Sequence, residues 1–95
     1  MKLLTDLEIE KRLEDFPDWD HHDNALTTDF EFDTFKNCMS AVFRIAFECE
    51  KLNHHPDWSN SYNLLIIKLS THDVNGVTDL DFKLAKSIDK IIEVK

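Results

Sequence analysis

The stretch LTTDFEFDTFKNCMSAVFRIAFECEKL, residues 26–52, decides the fold, because the period of its apolar residues changes inside it. From Leu26 to Phe32, Leu26, Thr28, Phe30 and Phe32 alternate with Thr27, Asp29 and Glu31. That period of two is a strand with one buried face. Beyond Asp33 the spacing becomes helical. Phe35, Cys38, Met39, Val42, Phe43, Ala46 and Cys49 form one stripe, flanked by Ala41, Ile45 and Leu52, with Phe47 also apolar. The spacing predicts a helix over about Thr34 to Leu52, with Asp33 as its N-cap. It ends near Asn53, because the residue before Pro56 is pushed out of the helical region.

Working outward, Thr5-Asp6-Leu7-Glu8 fits a capping box, with Leu4 and Ile9 as its staple. A short helix follows from about Asp6 to Asp15, stopped by Pro17, with Leu7, Ile9 and Leu13 on its apolar side. Trp19 to His22 makes a short strand, joined to the next by the turn Asp23-Asn24. His21 and His22 belong to that turn and are expected to be exposed. Trp58 to Tyr62 and Leu64 to Ser70 are two more strands, with a turn over Asn60 to Asn63. Tyr62 is expected in the core. After a loop over Thr71 to Val77, Thr78-Asp79-Leu80-Asp81 is a second capping box, stapled by Val77 and Phe82. It starts a last helix, Asp79 to about Glu93, that buries Phe82, Leu84, Ala85, Ile88, Ile91 and Ile92. The order α-β-β-α-β-β-α predicts an α+β domain spanning residues 1–95: a four-stranded antiparallel sheet with three helices on one face.

Ninety-five residues make one domain with a modest core. The apolar surface of the long helix is wider than one sheet-facing stripe needs, which points to a subunit contact. Nineteen acidic against 11 basic residues leave a net charge of -8 and no basic cluster. Nucleic acid and anionic membrane surfaces are therefore disfavoured as partners. No segment is apolar and long enough to serve as a signal peptide or to span a membrane, and the acidity suits a cytoplasmic protein. Cys38 and Cys49 sit eleven residues apart on one helix, roughly 16 Å along its axis. They are expected to be reduced and buried rather than bridged.

Three of the five histidines, His54, His55 and His72, lie in a stretch that also carries Trp58, Tyr62 and the single glycine, Gly76. Histidine exchanges protons near neutral pH. In extended chain His54 and His55 point to opposite sides, which weakens a shared metal site; no CxxC or HExxH spacing exists either. No nucleophile motif, phosphate loop or dinucleotide fingerprint is present. Unassisted acid-base chemistry on a small molecule remains, or a binding role, with no cofactor and no metal. Glu50, one helical turn before His54, can hydrogen-bond that imidazole. Trp19 and Trp58 can either wall a flat pocket or cover the sheet. Asp81 is expected to cap the last helix.

Glu50-Lys51-Leu52-Asn53-His54-His55-Pro56, followed by Tyr62, Ile67-Lys68-Leu69-Ser70-Thr71-His72-Asp73, Gly76 and Thr78-Asp79-Leu80-Asp81, closely resembles the pterin-4a-carbinolamine dehydratases. A looser likeness through Trp19, Phe30, Phe32, Phe35 and the long helix covers most of the chain. The resemblance implies loss of water from a 4a-hydroxytetrahydropterin to give a quinonoid dihydropterin. It also implies a homodimer or homotetramer, which fits the apolar helix around Thr34 to Leu52. By that likeness His54, His55 and His72 line the pterin pocket and move protons. Glu50, Trp19, Ser70, Thr71 and Asp81 support or border it, and Pro56 and Trp58 are further candidates for its wall. His54 and His72 are expected to be the proton-transfer pair, with His55 orienting the ring. Asn53 departs from the aspartate many members carry there. Animal members also bind a homeodomain transcription factor, a role nothing in this chain supports. Other readings are a protein-binding module of the same fold, a small metal protein, or a dehydratase for another pterin, as in molybdenum-cofactor metabolism.

Overall fold

A computed structural model describes residues 1–93. The elements are α1 (Asp6–Leu13), β1 (Asp20–His22), β2 (Ala25–Glu31), α2 (Phe35–Leu52), β3 (Asp57–Ser61), β4 (Leu64–Leu69), a 3-10 turn over His72–Val74, and α3 (Asp79–Glu93). The four strands pair antiparallel in the order β1-β2-β4-β3. This is the α+β layout that the change of apolar period predicts.

The core lies between the sheet and the helices. Leu26 of β2, and Leu65, Ile67 and Leu69 of β4, are buried at alternate positions and meet Ile45 of α2 and Leu84 and Ile88 of α3. Thr5 caps α1 with both arms of the capping box in place, and its staple residues Leu4 and Ile9 are buried. Helix α1 stops at Leu13, two residues short of the expected Asp15, and Leu7 is exposed. The N-cap of α2 is Thr34, not Asp33: the Thr34 hydroxyl accepts from the Asn37 amide at 3.0 Å. Tyr62 is not in the core. It sits exposed at the β3–β4 turn with φ 53°, where a two-residue hairpin connection demands a left-handed backbone.

The apolar face of α2 is rotated from the expected stripe. Cys38, Ala41, Ile45 and Cys49 face the core, whereas Phe43 and Phe47 are 65% and 74% exposed. Both cysteines are free and buried, and burial pushes the Cys49 thiol up to about 11.

The ends of two elements converge. Helix α2 terminates at Asn53, whose φ of 50° and ψ of 45° place it in the left-handed region that asparagine tolerates. The His54 amide then bonds back to the Cys49 carbonyl at 3.0 Å. Across from it, the loop after β4 is closed by Thr71 and Gly76, whose backbones pair. A Cβ at Gly76 would lie 2.4 Å from the Leu3 Cδ1 atom, the far end of a half-exposed side chain that can swing aside.

Candidate active site

Helix α2 ends in a turn, and that turn aims two consecutive histidines differently. His54 points inward and is 8% exposed, while His55 is exposed. Pro56 holds His55 in extended backbone. His72 reaches the same place from the 3-10 turn after β4. The three histidines line one cavity of about 390 Å3 with Asn53, Pro56, Thr71, Asp73, Leu80 and Met1. That volume suits a small planar molecule. A larger cavity of about 760 Å3 lies between Phe16, Phe30 and the end of α3, but it holds no histidine. Proton chemistry therefore belongs to the smaller one.

Asp81 lies beneath His54 and is fully buried. Its Oδ1 is 2.5 Å from the His54 Nε2. Its Oδ2 accepts from the Thr71 hydroxyl and from the Thr78 amide, each at 2.9 Å. A hydroxyl has one proton. Since Thr71 donates to Asp81, only Thr78 can donate across the 2.8 Å contact to Thr71, in place of the weaker donation to the Met1 sulfur 3.2 Å away. The network thus has one direction, and it converges on a carboxylate whose other oxygen meets the imidazole. Asp81 also sits in the first turn of α3, where an acidic side chain is favoured. It serves as cap and histidine partner together.

The expected pairing of Glu50 with His54 does not form. Glu50 meets His55 instead, with Oε2 2.7 Å from Nε2. The left-handed turn at Asn53 carries His54 off the helical path on which an i, i+4 contact depends. Both Glu50 and His55 are exposed, so this pair is solvent-screened.

Three other residues expected at the pocket stand elsewhere. Trp19 is a core residue whose indole donates to Asp89 at 2.8 Å, and burial pushes the Asp89 carboxyl up. It does not border the histidine cavity, because β1 lies at the far edge of the sheet. Trp58 packs its ring against the core from edge strand β3 and lines a different, shallow cavity. Ser70 follows β4, beside Thr71, but is not in the cavity wall. Conversely, the direct His54–Asp81 contact, which joins residues 27 apart, is not read from any local pattern. The family likeness sets both residues at the pocket, and the Thr78-to-Asp81 capping box sets Asp81 at a helix start. His21 is half-buried and His22 exposed at the β1–β2 hairpin, where His22 meets Asp23 at 3.2 Å. Among the described residues no group of three or more histidine, cysteine or acidic side chains is placed to hold a metal ion, and no helix is long and apolar enough to cross a membrane.

The family profile described as Pterin 4 alpha carbinolamine dehydratase matches residues 2–91. A relative from Christiangramia forsetii, named for pterin-4-alpha-carbinolamine dehydratase, is 45% identical over 93 residues, which is 98% of this chain and 96% of its own. A relative from Rhodospirillum rubrum with the same name is 45% identical over 91 residues, covering 94% of this chain and 95% of its own. Among solved structures, a "transcriptional coactivator/pterin dehydratase" from Brucella melitensis superposes with a TM-score of 0.92 at 37% identity, over 95% of this chain and 98% of that one. With sequence, fold and the histidine pattern in agreement over nearly the whole length, the chain belongs to the pterin-4a-carbinolamine dehydratase family.

Proposed function

We propose that this protein is a hydro-lyase that removes water from a 4a-hydroxytetrahydropterin, giving the quinonoid dihydropterin, by histidine acid-base catalysis. The observation that carries the reading is the buried Asp81–His54 pair set into a cavity that His55 and His72 also line. Family membership supplies the substrate class.

The reaction breaks the C4a–O bond. The hydroxyl leaves as water once it takes up a proton, and the N5 proton goes to a base as the N5=C4a double bond forms. With Nε2 tied to Asp81, the Nδ1 of His54 is the nitrogen left to exchange a proton with a ligand. An Nε2–H donating to the carboxylate leaves a lone pair on Nδ1, which suits His54 to accept the N5 proton. His72, exposed on the opposing loop, protonates the leaving hydroxyl. His55, paired with Glu50, orients the ring. General acid-base help of this kind is worth roughly 10²–10⁴-fold. The sequence of proton transfers needs neither metal nor cofactor. The test is stopped-flow dehydration of chemically generated 4a-hydroxytetrahydropterin. His54→Ala and His72→Ala should each slow it by about the factor just given while the fold persists. Parental rates in both variants would dismiss the assignment.

We further propose that the protein self-associates through α2. Phe43 and Phe47 stand one helical turn apart on its outer face, and both are exposed. A second copy is the occupant favoured by the family's habit of forming dimers or tetramers. Phe43→Glu with Phe47→Glu should shift the sedimentation coefficient to that of a monomer; an unchanged coefficient would place the contact elsewhere.

A further inference from the structure

Helices α2 and α3 enclose a second polar groove. Arg44, Glu48 and Lys51 follow one face of α2 at spacings of four and three, and α3 contributes Ser87, Lys90 and Ile91, with Lys90 and Ile91 three and four residues after Ser87. Together with Leu52 they line a cavity of about 420 Å3. Three cations therefore share one groove in a chain of net charge -8. Among the described residues none of the three makes an ion pair. The Nε of Arg44 is buried with no hydrogen-bond partner, the one such buried side-chain polar atom among the described residues. That atom has almost no accessible surface, so a ligand in the groove would meet the half-buried guanidinium through its Nη groups.

We propose that this groove binds a small phosphate-class dianion, such as hydrogen phosphate or a phosphate monoester. Arg44 contributes the fixed planar donor, Lys51 and Lys90 the mobile charges, and the Ser87 hydroxyl a neutral donor. Leu52 and Ile91 make part of the wall apolar, which strengthens charge pairing near it. Glu48, the one carboxylate of the groove, accepts from the remaining P–OH of hydrogen phosphate, a proton that a monoester dianion lacks, so hydrogen phosphate is the better fit of the two. The groove shares no lining residue with the histidine cavity and its occupancy does not depend on the dehydratase reading.

The experiment is titration of the intact protein with inorganic phosphate near neutral pH at constant ionic strength, followed by phosphorus NMR and calorimetry. Saturable one-to-one binding is expected. Lys51 and Lys90 are exposed, so Lys51→Gln/Lys90→Gln should fold normally. It should bind phosphate weaker by about tenfold per charge removed. Arg44→Gln should abolish binding, with circular dichroism reporting that the fold is kept. Absence of saturable binding to the parent, or parental affinity in the double lysine variant, would overturn the proposal.

Discussion

Asp81→Asn separates the positioning role of the buried carboxylate from its bulk. In the parent, Oδ2 accepts two hydrogen bonds, from Thr71 and Thr78, and Oδ1 meets His54. The amide oxygen of asparagine can keep the first pair. Its NH2 must then face the imidazole, and the His54 nitrogen there must become an acceptor. The ring proton moves to Nδ1, the nitrogen that should receive the pterin proton. One hydrogen bond is reversed rather than lost, so the stability cost is about 1–3 kcal/mol. A domain of this size has roughly 5–14 kcal/mol in hand, so the variant folds. Asp81→Ala would strand three donors in the core and cost more, about 3–5 kcal/mol. For Asp81→Asn the dehydration rate should fall about 10²–10⁴-fold, the worth of the base. Nitrogen NMR of the imidazole supplies the readout that a merely structural role would not move. His54 should carry its proton on Nε2 in the parent and on Nδ1 in the variant. A variant that keeps near-parental turnover with the reversed tautomer would refute the reasoning.

Other expectations follow from the same geometry. Thr5→Ala removes the hydroxyl that accepts from the Glu8 amide at 3.2 Å; it should cost about 1 kcal/mol, or roughly 4–8 °C in Tm by calorimetry. The Arg12 guanidinium hydrogen-bonded to Asp79 holds that carboxyl below its ordinary 3.8. A depressed folded value means stabilisation that is present above 3.8 and lost as pH falls through the lowered value. Asp79→Asn should thus melt below the parent at neutral pH, and the gap should close in strong acid. With its thiol raised to about 11 by burial, Cys49 should resist alkylation in the native state at pH values near 8 and label fully in denaturant. Rapid native labelling would show that its surroundings open.

The parts of this fold that could be read in the sequence are those set by local chemistry. The Thr5–Glu8 box, the alternation from Leu26 to Phe32 and the stop at Asn53 each act over a few residues, and each placed its element. The rotation of α2 was not legible. Phe43 and Ile45 are equally apolar, and only the docking angle on the sheet decides that Ile45 is buried and Phe43 is not. The site divides the same way. His54, His55 and His72 were found because their types and spacing are unusual, and one cavity gathers them. Their carboxylate partners were misassigned because pairing depends on where the chain leaves the helix. A left-handed Asn53 handed His54 to Asp81 and left Glu50 to His55. Trp19 was drawn toward the pocket by family likeness, but its indole is committed to Asp89.

The five histidines provide their own internal control for the central claim, that the pterin binds and reacts in the cavity at the α2 and β4 ends. The direct measurement is imidazole NMR during titration with a dihydropterin analogue that cannot lose water. The account predicts saturable shifts at His54, His55 and His72, with smaller or no shifts at His21 and His22, which lie outside the cavity wall on β1, two strands across from Leu69. Binding that leaves the first three unshifted, or that perturbs the His21–His22 hairpin instead, would contradict it.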